Sequence, residues 1–469
     1  MVEAGFERHS IGGESEVVQI AERLSRVPRR ARVSNRTQAP RIVASAEAFG
    51  QGPFGAMATL AKQVRQRLPL ATIHAVTPGS LARVGQNNLA LFDSVSNSPP
   101  DPREVDVAVS VMSPDLVLWG RASGVHTTYV DNLLHAFAPF DTSEFDRDHD
   151  RLAALSGEGS LGDMRRIAAS TNPFNQHWLA HRVAQLGGLS LSTFFPPLHR
   201  PASAIDPHSQ TLGSIQVLPI VASSARPAGW GPGARDTLLM NIGGMFSPLL
   251  PTLELGLQYI ELNLHLASDL LRRALDSSPE LSVTLTVHPD VVELSKKLPP
   301  ITQFLRDYGD RFRVVALPHD QMLEALCRAR LCLSTVGIGT LADAVASGTP
   351  IAFLSDFGPH TDSHVATYVQ LIRADMVEQH EGYAGSEEEV ARYVASHSGP
   401  GELAFPGALQ GLFKPIGEES STRIAAPLTN LPIERLDLLE LMAARQQALL
   451  TPDAELPQAA DVIVEQWLS

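Results

Sequence analysis

The sequence predicts an α/β protein made of two Rossmann-like parallel-sheet domains facing each other across a cleft. Three observations predict it. Apolar, strand-like runs alternate with helical periods along most of the chain, the pattern of parallel strands joined by helical crossovers. The alternation breaks at SSARPAGWGPGARD, a stretch rich in glycine and proline with no apolar period, and then restarts. Each half also opens with a strand that runs into a glycine-rich turn, Gly50 to Gly55 in the first and Asn241 to Pro248 in the second.

The bulk properties agree. A chain of 469 residues exceeds one ordinary core, and 44% apolar residues suffice for two. The formal net charge of -14 argues against nucleic acid as the main partner, because phosphate backbones need a basic surface. Cys327 and Cys332 are the two cysteines, too few for a disulfide framework or a four-cysteine metal site, and they fit a reducing, cytoplasmic setting. No apolar run is long enough to span a bilayer.

In chain order, residues 1–40 read as a tail, with six arginines between Arg23 and Arg36. The N-terminal domain is expected over 41–222. Strands are expected at 41–45, 72–76, 105–111 and 126–130, with a short one at 116–119, and helices at 53–68 and 173–186. The polar stretch 137–162 reads as a long loop or lid. A strand at 215–221 leads to the linker, 223–236. The C-terminal domain, 237–432, then offers strands at 237–242, 283–288, 314–317, 331–334 and 351–354. Its helices are expected at 253–275, 301–308, 321–329, 339–347 and 364–374. Two more, 434–449 and 459–468, are expected to pack back across the domains.

The most informative segment is LCLSTVGIGTLADAVASGTP. A buried strand ends at Ser334, a turn holds Gly337 and Gly339, and a helix starts near Thr340. Glycines let the backbone approach a ligand closely, and a helix start presents free N–H groups and a positive dipole end to an anion such as phosphate. The next strand delivers Asp356, His360, Asp362 and His364 at a C-terminal sheet edge, where open α/β sheets bind ligands. From 317 to 370 the chain resembles the donor-binding region of GT-B glycosyltransferases, the class that includes MurG-type and UDP-glycosyltransferases. The resemblance rests on DQMLEALCRA, STVGIGT, LADAVASGTP and FLSDFGPHTDSHVATYVQ in that order.

The resemblance implies a nucleotide-sugar donor, a UDP-sugar first, and no cofactor. Backbone near Leu317 and His319 would hold the base, and Gly337, Gly339 and Thr340 the diphosphate. Asp343 stands where the family has an acid, usually glutamate, for the ribose; Asp362 and His364 would face the sugar. Gly243, Gly244 and Ser247 in the second turn, and His288 at the end of TVH, point to the same edge.

In the first half, Gly50, Gly52 and Gly55 satisfy G-x-G-x-x-G, but the next strand lacks the acidic residue of a dinucleotide site. The turn is therefore expected to face the acceptor. Many inverting members carry a histidine in this loop; here the nearest ionisable group is Glu47, with Asp131 a second candidate for the catalytic base. The D-x-D at Asp146 and Asp148 sits in a polar stretch and reads as a solvated loop, so no metal is expected. The expected activity is metal-independent, inverting sugar transfer to an unknown acceptor. Its rivals are a nucleotide-sugar 2-epimerase, using Asp115, Asp131 or Glu47, and a non-catalytic nucleotide-binding protein of the same fold.

Overall fold

The computed structural model describes residues 39–48, 51–132, 142–155, 157–170, 173–193, 211–221, 235–243, 253–335, 337–354, 431, 433–450 and 456–468. Two sheets carry the fold, and every strand pair in them is parallel. The first holds β1 (Arg41–Ala46), β2 (Thr72–Val76), β3 (Ser94–Ser96), β4 (Val107–Val111), β5 (His126–Asp131), β6 (Leu189–Thr193) and β7 (Ile215–Val217). Their spatial order is β3-β2-β1-β4-β5-β6-β7. The second holds β8 (Thr237–Asn241), β9 (Ser282–Thr286), β10 (Phe312–Val315), β11 (Ala329–Ser334) and β12 (Ile351–Phe353), ordered β10-β9-β8-β11-β12. This is the expected two-domain α/β layout.

In both sheets the chain winds outward from its first strand, then returns to that strand's other side. The order therefore reverses between β1 and β4 in one half and between β8 and β11 in the other. Such switch points open a crevice at the strands' C-terminal ends. β4 and β6 are buried along their whole length, as expected of parallel strands covered on both faces.

The first half contributes α1 (Gly52–Arg67), α2 (Leu81–Asn87), α3 (Pro114–Ser123), α4 (Thr142–Ala154), α5 (Leu161–Ser170) and α6 (Pro173–Gln185). The second contributes α7 (Leu253–Ser277), α8 (Val292–Ser295), α9 (Pro299–Tyr308), α10 (His319–Arg328) and α11 (Ile338–Ala346), followed by α12 (Leu436–Leu450) and α13 (Ala459–Leu468). In α1, Phe54, Met57, Ala58 and Ala61 recur at helical spacing and are buried against the first sheet. None of the helices in the described residues is long and apolar enough to cross a membrane.

Two expectations are corrected. The apolar run 116–119 is helix, not strand. Pro114 begins α3 and Gly124, in the left-handed region at φ 63°, ends it, its N–H reaching back to Arg121 and Gly120 carbonyls. The run looks like a strand because α3 is buried on all sides there, so its four consecutive residues are all apolar. Within the polar stretch read as a loop or lid, Thr142–Ala154 forms α4, and Asp148 of the D-x-D is not solvated. It is 1% exposed and accepts from Arg147 (3.4 Å) and Arg151 (3.1 Å).

The C-terminal helices serve different halves. α12 packs on the second sheet through Leu439 and Met442. The buried amide of Gln446 donates to Ile351 O (2.9 Å) and accepts from Ile351 N (3.0 Å), acting as a partner for the edge strand β12. α13 returns to the first half. Ala459, Val462 and Ile463 join its core, Asp461 and Gln458 bind Arg67, and Gln466 accepts from Thr128 (2.9 Å).

Candidate active site

At the first switch point, Glu47 follows β1 directly and its N–H donates to Val111 O (2.9 Å). Across the crevice, β4 ends and Met112 turns the chain with φ 57°, a left-handed conformation that strains a residue with a side chain. The turn sends the chain into α3, whose first turn carries Asp115 and whose first residues receive no side-chain cap. Burial, and then the charge of Asp115, push the Glu47 carboxyl up to about 7. A carboxylate in that range titrates near neutrality, as a general base requires. Asp115 itself is gripped by Arg165 of α5, Nε and Nη2 donating to its two oxygens at 2.6 and 2.8 Å.

Asp131, at the end of β5, is in a different setting. It is fully enclosed and its Oδ2 lies 3.0 Å from His181 Nε2, whose Nδ1 faces Ser190 Oγ. Tyr129, two residues earlier, packs edge-on against the His181 ring and lies 2.9 Å from His177 Nδ1. Burial, then Asp131, then Glu47 push the Tyr129 phenol well above its ordinary value. Asp131 is thus a buried polar anchor rather than a solvated carboxylate. Glu47, half-buried at its strand end, is the more accessible of the two carboxylates.

At the second switch point the chemistry is supplied by amides and small residues. β8 ends at Asn241, where the second glycine-rich turn begins and whose side chain local sequence gives no reason to single out. Its Oδ1 accepts from Gly243 N (3.2 Å) and Thr286 Oγ1 (2.8 Å), and its Nδ2 donates to Thr340 Oγ1 (3.3 Å). Asn241 thereby ties the first turn of the domain to the start of α11. Gly337 is the N-cap of α11 in extended conformation, with no side-chain cap, so the helix's first amides face the crevice uncovered by a capping side chain. Asp343 lies one turn further on, half-buried.

The two crevices meet. A Cβ built on Gly339 would lie 3.6 Å from Gly52 O, one on Gly243 2.8 Å from Gln51 Oε1, and one on Gly55 3.6 Å from the His319 ring. His319 itself belongs to this domain contact. Its Nε2 is 2.8 Å from Thr59 Oγ1, its backbone N–H donates to Asn88 Oδ1 (2.7 Å), and burial pushes its ring down to about 4, leaving it neutral. The backbone expected to hold a base beside Leu317 is therefore engaged by the first domain at His319. His288 acts likewise: its Nδ1 accepts from Asp290 N (3.2 Å) and its Nε2 lies 3.2 Å from Ser80 O. Arg83–Asp290 and Lys62–Asp320 ion pairs flank the contact. Gly50, Gly244, Ser247, Asp362 and His364 lie outside the described residues. Both cysteines are buried and free, and burial pushes the Cys332 thiol up to about 12.

No protein-family model matches the chain, and no curated protein sequence does. Among solved structures the chain is similar to the spinosyn rhamnosyltransferase SpnG, at 14% identity over 92% of this chain and 100% of that one, with a TM-score of 0.43. It is similar to the glycosyltransferase SnogD from Streptomyces nogalater, at 15% identity over 92% and 100%, TM-score 0.42. It is also similar to a UDP-glucose: anthocyanidin 3-O-glucosyltransferase in complex with UDP, at 11% identity over 91% and 99%, TM-score 0.38.

Proposed function

We propose that the chain is a glycosyltransferase that moves a sugar from a nucleoside diphosphate sugar to an acceptor hydroxyl, with inversion and without a metal ion. One observation carries the reading. Glu47, a carboxylate tuned near neutrality, sits at one switch point, while an uncapped helix start sits at the other, and the two crevices adjoin.

Each half has a distinct task. Glu47 takes the proton from the acceptor hydroxyl as its oxygen forms a bond to the anomeric carbon. The bond from that carbon to the diphosphate oxygen breaks, and the electron pair leaves with the diphosphate. Charge grows on the leaving group at the N-terminus of α11, where fixed amides and the helix dipole stabilise it without reorganising. α1 also starts at the domain contact without a side-chain cap, so its positive end adds to the same field. Domain closure over the site would exclude water, which otherwise competes with the acceptor.

UDP-sugars are the first donors to test, TDP-sugars the second. Purified protein with EDTA, UDP-glucose or a TDP-sugar, and a panel of phenolic and alicyclic alcohols should yield glycosides at undiminished rate relative to magnesium buffer. Strict dependence on a divalent ion would overturn the metal-independent mechanism. Release of a 2-epimer from UDP-GlcNAc without acceptor would overturn transfer in favour of epimerisation.

A further inference from the structure

Arg165 has no role in the transfer as described, yet its geometry is the most specific ionic contact at the first crevice. Both Asp115 oxygens are engaged, at 2.6 and 2.8 Å, by two nitrogens of one guanidinium, the paired geometry that fixes orientation as well as charge. The partners come from different elements, Asp115 from the first turn of α3 and Arg165 from the middle of α5, 50 residues on. Both side chains are about half exposed, 56% and 48%, so as a surface pair they contribute little to stability. A costly-to-order arginine held this way at the mouth of a crevice does more for placement than for folding.

We infer that Arg165 is a positioning residue for the proposed transfer, holding Asp115 as a fixed, partly neutralised carboxylate opposite Glu47. The inference rests on Glu47 being the base. Asp115, in the first turn of α3, closely follows the end of β4, where Val111 O accepts from Glu47 N (2.9 Å), and its negative charge disfavours a second one there. Left unpaired, Asp115 would present its whole charge, free to swing. Clamped by Arg165, it presents a reduced charge from one place. Among the described residues, Tyr129 on β5 also feels the charge of Glu47, and behind it stand Asp131, His177 and His181. These are tied to one another inside the domain, so Asp115 is the one whose charge an exposed side chain governs.

The test reads the titration of Glu47 without needing a known acceptor. Glu47 binds its proton more tightly folded than unfolded, where a glutamate titrates at about 4.3. Its contribution to stability is therefore fully present below that value and lost as pH rises through about 7. The difference in Tm between wild type and Glu47→Gln, measured from pH 4 to pH 8.5, should fall across that window, and the upper midpoint of its slope, where the fall has slowed to half its rate, tracks the folded carboxyl. In the Arg165→Met background the midpoint should move up by about one pH unit, and Arg165→Lys should return it most of the way. Asp115→Asn should move it down and make Arg165→Met silent. A midpoint unchanged by Arg165→Met overturns the inference while leaving Glu47 as the base. If Glu47→Gln shows no pH-dependent difference at all, the tuned base fails, and the inference with it. Far-UV circular dichroism on each variant confirms the fold, and the half-exposed positions of Arg165 and Asp115 favour its survival.

Discussion

The two switch points share a topology and differ in almost everything else. In the first half, the crevice between β1 and β4 gathers carboxylates, Glu47 and Asp115, with an arginine clamp on the second. In the second half, the crevice between β8 and β11 gathers glycines, hydroxyls and one amide side chain, Asn241, around an uncapped helix start. The winding order makes a crevice in both places, and the residues at the strand ends decide what it can do. A buried carboxylate crowded by another can take up a proton. Bare amides at a helix start can only receive negative charge. In the proposed transfer, proton removal and leaving-group stabilisation are thus segregated, one to each domain.

The comparison can be broken most severely at Glu47. Glu47→Gln keeps shape and removes basicity, so kcat should fall by about 10²–10⁴-fold with nucleotide binding unchanged. In the wild type, kcat/KM should fall as pH drops below about 7, because the base must be ionised, and this acid limb should vanish in the residual activity of the variant. Equal rates for both proteins would remove Glu47 from the mechanism. The second half is broken by Gly339→Glu, which puts a carboxylate against the helix start. Stabilisation of the protein by millimolar UDP or TDP, read by thermal shift, should disappear, whereas Gly339→Ala should retain most of it. The alanine Cβ would sit at ordinary van der Waals distance, 3.6 Å, from Gly52 O. Retained stabilisation in the glutamate variant would move the phosphate site elsewhere. The smallest effect sharpens the boundary between the halves. His319→Ala removes one part-buried interdomain hydrogen bond and a packed ring, costing about 1–3 kcal/mol in denaturant unfolding. A variant as stable as wild type would show that the contact with Thr59 is not formed in solution.

The parallel sheets were legible because their central strands are continuous apolar runs bounded by turns. β6, LSLST, escaped because it is short, alternates with serine and follows two glycines, yet it is buried on both faces. The helix α3 was mistaken for strand because four apolar residues in a row carry no period. α4 was missed because its sequence is dominated by charges, and only packing around Leu152 and Asp148 reveals which side faces inward. At the site, the glycine turns and Glu47 could be read locally. The side chains that bind distant segments could not: Asn88 meets His319 across 231 residues, and Arg165 meets Asp115 across 50. Sequence spacing has nothing to say about such partners. His288 and His319 are engaged by the first domain, His288 beside Ser80 and His319 through Thr59 and Asn88, partners that no spacing along the chain announces.

The return of α13 to the first half has a mechanical consequence. The chain passes from one half to the other between residues 221 and 235, and comes back between 450 and 456. Two crossings leave the halves less freedom to separate than one would. Any opening in the proposed transfer is thereby limited by the second crossing. That crossing also keeps Gly52 within reach of Gly339, so the crevices can meet again without a long search.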